Sequence, residues 1–332
     1  MTQTGGGNRR CIVVLGTGGT IAGRAGSAND NIGYAAAQVG VSELIDGIDA
    51  PEGVELVSEQ VSQIDSKDMS FAVWRGLAER CAHWLRSPEV AGIVITHGTD
   101  TLEETAFFLH SILSAVKPVV VTCAMRPATA LAPDGPQNMR DAMAVAAMPG
   151  ARGVVAVCAG TIHGAADVRK VHTYRLDAFG SGDAGPLGYV EEGALRMQRD
   201  WPAVVAGAGH RFERMIAAAV PWPRVEILTS HAESSGRLID ALLRERASGV
   251  DEPVRGLVLA ATGNGTLHHA LREAALRAQN HGVRVLRATR CAEGRILSKA
   301  EESLPDAGSL TPVKARIALM LELLADDERR GT

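Results

Sequence analysis

Two threonine-rich turns and one lysine carry the side chains of this sequence best suited to covalent chemistry. The first turn, Leu15-Gly16-Thr17-Gly18-Gly19-Thr20-Ile21-Ala22-Gly23, sets two hydroxyls among glycines that let backbone approach a ligand closely. The second, Thr96-His97-Gly98-Thr99-Asp100-Thr101, offers another hydroxyl beside a carboxylate. A hydroxyl is a weak nucleophile until a base takes its proton. His97 adjoins the second turn, but a histidine at a strand end acts as a base only when something orients it, and otherwise it is a structural hydrogen-bonding group. Lys170, in Asp167-Val168-Arg169-Lys170, is the other candidate if burial or nearby cations hold it neutral. Taken alone, a loop lysine reads as a solvated charge. Phosphate binding fits the first turn poorly: Ile21 fills the third glycine position of G-x-G-x-x-G, and no Gly-Lys-Ser/Thr follows.

Both turns follow short β-branched apolar runs, 11–15 and 92–96, which have the pattern of buried strands. Further strands are expected at 54–58, 118–122, 153–158, 225–228, 256–261 and 283–287, alternating with helical patterns. The expected architecture is α/β: a larger N-terminal domain with a mostly parallel sheet flanked by helices, and a smaller C-terminal α/β domain. In open sheets of this kind ligands bind outside the carboxyl ends of the strands, so both turns can share one crevice. Ser66 is read as the N-cap of a helix reaching Leu85, with Met69, Val73, Leu77, Cys81, Trp84 and Leu85 on its inner face. Thr101 to Glu104 has the form of a capping box, opening a helix whose buried stripe is Leu102, Ala106, Leu109, Leu113 and Val116. Thr311-Pro312 caps the last helix. The domains are read as 1–200 and 223–332, joined by a linker over 201–222 whose stretch 203–210 is rich in alanine and glycine without a clear period.

Composition narrows the functional classes. At 332 residues, 46% hydrophobic and 22% charged, the chain has the balance of an ordinary globular protein with ample core. A net charge of −4 without any basic run longer than two residues argues against nucleic acid as a partner. Five scattered cysteines without a C-x-x-C read as reduced thiols, not as disulfides or a metal site. No stretch has the length of a membrane span, and the polar start up to Arg10 lacks the apolar core of a secretory signal. These features lead to the expectation of a cytoplasmic protein. Neither H-E-x-x-H nor a Cys/His cluster occurs, so no metal and no cofactor is expected.

Thr17 to Gly23, Thr96 to Thr101 and Lys170, with Ala124-Met125-Arg126-Pro127, Asp134-Gly135-Pro136 and Gly185-Pro186-Leu187-Gly188, resemble the bacterial-type L-asparaginases. The resemblance runs in family order from the first strand to Lys314-Ala315-Arg316. It implies that Thr20 is the nucleophile, in a loop that closes over substrate, and that Tyr34 assists it. Thr99, Lys170 and Asp100 would be a second hydroxyl, the lysine that polarises it and the carboxylate that anchors the substrate's α-amino group. Ser66 would grip the α-carboxylate, and Ala124 would lend its backbone carbonyl to the side-chain amide. Gly19 and Gly98 would line the substrate site. The implied chemistry is hydrolysis of L-asparagine to L-aspartate and ammonia through an acyl-enzyme ester. Backbone and hydroxyl donors of the glycine-rich loops would stabilise the tetrahedral oxyanion.

Lys67 stands where the family often carries a glutamine that holds the substrate. Members also complete the site with an asparagine and a glutamate from a neighbouring subunit, which implies a homo-oligomer, a tetramer made of two close dimers. The matching stretch is Thr262-Gly263-Asn264-Gly265-Thr266, with Thr266 at the usual asparagine position and Asn264 nearby. Glu301 is the best match for the glutamate, with Glu302 and Glu293 as alternatives. These differences leave a glutaminase-asparaginase as a competing reading. A catalytically silent amino-acid-binding protein is the alternative from another class. An asparaginase-like subunit of a tRNA amidotransferase would need an N-terminal module, and a self-processed N-terminal threonine hydrolase would need its threonine at a cleavage-generated start.

Overall fold

The structure, a computed structural model, describes residues 10–217 and 221–331. The polar start up to Arg9 lies outside the described residues, as do 218–220 within the expected linker. The chain divides into two compact units, one ending at Gly209 and the next beginning at His210.

In the first unit, β1 (Arg10–Gly18), β2 (Val54–Ile64), β3 (Val90–Thr96), β4 (Pro118–Thr122) and β5 (Gly153–Cys158) are parallel, in the spatial order β5-β4-β3-β1-β2. β3, β4 and β5 are buried along their whole length, which is why they read as unbroken apolar runs. Ile12, Val14, Val94, Val120, Val155 and Val157 share one core cluster with Met139, Ala142, Met143 and Ala146 of α4 (Gly135–Ala147). The other helices of this unit are α1 (Val41–Ile45), α2 (Phe71–Leu85) and α3 (Leu102–Ile112).

After β5 the sheet turns antiparallel through β6 (Thr161–Gly164). The chain then leaves the sheet to form a separate ladder of β7 (Arg169–Lys170) and β8 (Phe179–Gly180). This detour departs at Gly164, whose carbonyl accepts from the Val168 N–H (2.8 Å). It returns at Leu187, whose N–H donates to the Ile162 carbonyl (2.7 Å). The hairpin β9 (Gly188–Glu191) and β10 (Ala194–Met197) completes the eight-stranded sheet. These short antiparallel strands carry no long apolar run and were not expected.

The expected connector also holds a helix, α5 (Ala208–Ala217), in which Met215 is buried. The second unit is a parallel sheet of β11 (Val225–Thr229), β12 (Gly256–Ala261) and β13 (Arg284–Thr289) with α6 (Arg237–Ala247), α7 (His269–Asn280) and α8 (Pro312–Gly331). Leu257 and Leu259 of β12 pack with Ile239 and Leu271 in its core.

Three local expectations are corrected. The cap of α2 is Ser70, whose Oγ accepts from the Val73 N–H (3.4 Å), not Ser66, which sits in a separate 3-10 turn over Ser66–Asp68. The capping box at Thr101 does not form, because that hydroxyl donates to the Ser66 carbonyl (2.8 Å). Val116 is exposed, because α3 ends at Ile112 and the chain must extend ahead of Pro118. By contrast, the Thr311 hydroxyl does accept from the Lys314 N–H (3.4 Å), as expected of a cap.

Candidate active site

β1 lies between β2 on one side and β3 on the other, so the chain reverses its direction of travel across the sheet at β1. A crevice opens at such a switch point, outside the carboxyl ends of the two diverging strands. The loops after β1 and β3 meet there with almost no space between them: a Cβ placed on Gly19 would lie 2.3 Å from both the Cα and the N of Gly98. The Thr17 hydroxyl donates to the Thr96 carbonyl (2.8 Å), fastening the two strand ends. Thr20 and Thr99, one residue past the touching glycines, are both about 6% exposed.

Thr20 Oγ1 lies 2.7 Å from the Tyr34 hydroxyl. The intervening loop is closed on itself by two bonds between Arg24 and Ala35, each 2.9 Å. It is tied back to the first turn where the Ala37 N–H donates to the Gly19 carbonyl (3.0 Å).

The second turn is assembled around Ser66 and Lys170. Ser66, buried, accepts the Asp100 N–H on Oγ (3.2 Å) while its own carbonyl takes the Thr101 hydroxyl. Lys170, reaching in from β7, donates from Nζ to Thr99 Oγ1 (2.8 Å) and to Asp100 Oδ1 (2.7 Å). Burial or nearby cations were expected around this lysine; its side chain is 20% exposed and its charged partner is the Asp100 carboxylate. Because Thr99 accepts from the lysine, its own hydroxyl proton is left to point at whatever occupies the crevice.

His97 is fully buried and does not carry the base role. Its Nδ1–H donates to the Gly98 carbonyl (2.7 Å), and its Nε2 lies 2.9 Å from Thr105 Oγ1, which in turn accepts from the Trp74 indole N–H (2.8 Å). A carbonyl only accepts, so Nδ1 is the protonated nitrogen and Nε2 accepts from Thr105. Burial lowers the His97 pKa to about 4, which keeps the ring neutral. This chain of bonds, absent from the sequence reading, anchors the turn that carries Thr99. Trp74 itself stacks on Phe108 at 4.7 Å.

Ala124 is fully buried just past β4. A Cβ on Gly135 would meet both Ile21 Cγ1 (3.0 Å) and Ala124 Cβ (3.6 Å), so Ala124 adjoins the Thr20 turn. Lys67 is not brought into this group: its exposed ammonium pairs with Asp65 (2.5 Å) and Asp68 (3.5 Å) of its own turn.

In the second unit, the Asn264 amide is committed locally. It donates to the Leu297 carbonyl (3.1 Å) and accepts from the Leu297 N–H (2.7 Å). Thr266 Oγ1 lies 2.9 Å from the Thr262 hydroxyl. Glu302 is drawn into an ion pair with Arg272 (3.2 Å), whereas Glu301 is exposed at the rim of a cavity of about 430 Å³ that Asn264 and Thr266 also line. Among the described residues, no group of three or more His, Cys, Asp or Glu is placed to hold a metal ion. No helix among them is long and apolar enough to cross a membrane.

Comparison with known proteins places these features in a common frame. The family model described as "Asparaginase, N-terminal" matches residues 11–203, and "Glutaminase/Asparaginase C-terminal domain" matches residues 224–330. L-asparaginase 2 of Bacillus subtilis is 35% identical over 94% of this chain and 82% of its own length. A glutaminase-asparaginase of Pseudomonas fluorescens is 37% identical over 94% and 86%. The crystal structure of a probable cytoplasmic L-asparaginase from Campylobacter jejuni superposes with a TM-score of 0.83 at 34% identity, covering 95% of each chain.

Proposed function

The chain belongs to the asparaginase family, amidohydrolases that work through a threonine nucleophile, and we propose that it is an L-asparaginase with Thr20 as that nucleophile. The observation that carries the assignment is the pairing of two hydroxyl systems across the Gly19–Gly98 contact: Thr20 with Tyr34 on one side, Thr99 with Lys170 and Asp100 on the other.

In this reading Asp100 receives the α-amino group of L-asparagine, Ser66 lies at its α-carboxylate, and the Ala124 carbonyl accepts from the side-chain amide N–H. Thr20 Oγ attacks the amide carbon as its proton is relayed through the Tyr34 hydroxyl, which accepts it while giving its own proton to the leaving amide nitrogen. Thr99, with its proton turned outward by Lys170, donates to the reacting amide. The C–N bond breaks, ammonia leaves with the transferred proton, and an aspartyl ester on Thr20 remains. Water then attacks the ester, releasing aspartate and returning the proton to Thr20. The likeness to a probable cytoplasmic enzyme supports a cytoplasmic location, which cell fractionation checks. The family resemblance supports a homotetramer, a pair of close dimers whose C-terminal units contribute Glu301 to a neighbouring site. Sedimentation alongside activity tests that assembly.

A second reading, substantial activity on L-glutamine, is favoured by one observation. Thr266 holds the position where the family commonly has asparagine, and its hydroxyl is engaged with Thr262. Ammonia release under steady-state conditions from L-asparagine and L-glutamine decides between the two. Release from neither amide would overturn both.

A further inference from the structure

Asp134 precedes α4 as its N-cap, a position where aspartate ordinarily accepts from the first backbone N–H groups of its own helix. It makes no such bond. Its two carboxylate oxygens instead accept from the Met125 N–H and the Arg126 N–H, each at 2.9 Å. One turn further along α4, the buried Asn138 donates from Nδ2 to the Cys123 carbonyl (2.9 Å) and accepts the Ala159 N–H on Oδ1 (2.9 Å). The two side chains are themselves joined, Asn138 Nδ2 lying 3.3 Å from Asp134 Oδ2.

These bonds fall on the two peptide planes that flank Ala124. A trans peptide points its C=O and N–H in opposite directions. With the Met125 N–H held on Asp134, the Ala124 carbonyl of the same peptide must point away from α4. With the Cys123 carbonyl held on Asn138, the plane before Ala124 cannot rotate to compensate. Asn138 also binds the loop after β5 at Ala159, which sits at a φ of +49°, so the clamp spans two neighbouring strand ends.

We infer that Asp134 and Asn138 are positioning residues for amide recognition: together they aim the Ala124 carbonyl at the N–H of the substrate's side-chain amide. The inference rests on the reading of the site given under Proposed function. It predicts a change in selectivity and not only in rate, because an ester of the same acid has no N–H to offer that carbonyl.

The test compares kcat/KM for L-asparagine with kcat/KM for the β-methyl ester of L-aspartate, in the wild type and in Asp134→Asn and Asn138→Ala. In Asp134→Asn one of the two N–H groups faces an amide NH2, and the Ala124 peptide is free to turn. The amide-to-ester ratio is expected to fall roughly five- to tenfold, the value of one net hydrogen bond. Asn138→Ala should move it in the same direction. If one variant does not fold, the other carries the result. A wild type active on the amide, with variants that keep the wild-type ratio whatever happens to the absolute rates, would overturn the clamp while leaving the enzyme assignment intact. A wild type inert toward both compounds would overturn the assignment itself, and the clamp with it.

Discussion

Gly19 and Gly98 touch backbone to backbone, and no side chain of any size fits between them. Gly19 also holds a φ of +81° with ψ of −171°, a combination open essentially to glycine alone. Gly19→Ala therefore meets both a steric and a conformational penalty. It should destabilise the protein by at least about 2 kcal/mol, read from the denaturant midpoint. It should also reduce turnover more than it reduces fold content, because the loops carrying Thr20 and Thr99 are forced apart. A variant with wild-type stability and activity would contradict this packing.

Thr20→Ala removes the proposed nucleophile and should abolish ammonia release, while aspartate still binds through Asp100 and Ser66 and is detected by calorimetry. Tyr34→Phe keeps the ring but deletes the hydroxyl 2.7 Å from Thr20, so kcat should fall by about 100-fold or more if Tyr34 takes the proton. Turnover surviving in Thr20→Ala would assign the nucleophile elsewhere.

Lys170→Met retains much of the side-chain volume and loses both Nζ bonds, to Thr99 and Asp100. Turnover should drop about 100- to 10,000-fold, with a smaller change in KM. A near-normal kcat would take the lysine out of the mechanism.

His97 gives stability a pH dependence. Its pKa is about 4 in the folded chain against an ordinary value near 6.5, so the unfolded chain binds the extra proton first. The contribution is complete above pH 6.5 and is lost as pH falls toward 4. Between pH 6.5 and 5 this amounts to about 2 kcal/mol. Thermal unfolding followed across that range should show Tm declining in the wild type. His97→Gln, which does not titrate, should be less stable at neutral pH and show a flatter profile. Parallel slopes would mean that His97 titrates normally.

The sequence made the central strands legible because parallel strands covered on both faces are uninterrupted apolar runs: 118–122, 153–158 and 256–261 match observed strands residue for residue. Thr20 and Thr99 were legible for a related reason, since each sits just past the end of such a run. What stayed hidden depends on partners distant in the chain. Ser66 and Ser70 are equally plausible caps locally, and only the Asp100 N–H, 34 residues away, decides which one is claimed. Lys67 was a candidate for the substrate site by position, yet its two nearest acids hold it in its own turn. Asn264 likewise spends its amide on Leu297, a partner that no spacing rule announces. His97 was read as a base only if something oriented it, and the Trp74–Thr105 bonds that hold its ring come from two helices and have no sequence signature.

Lys170 enters the crevice from outside the main sheet, on an excursion that begins at Gly164 and ends at Leu187. Its two ends are stitched to one strand, β6, a few residues apart. The span is also held along its length, since Val168 and Ala178 are fully buried and the Ser181 hydroxyl lies 2.8 Å from Nδ1 of His163 on β6. How far the ammonium reaches is therefore set by the packing of this excursion and not by the register of the sheet it springs from.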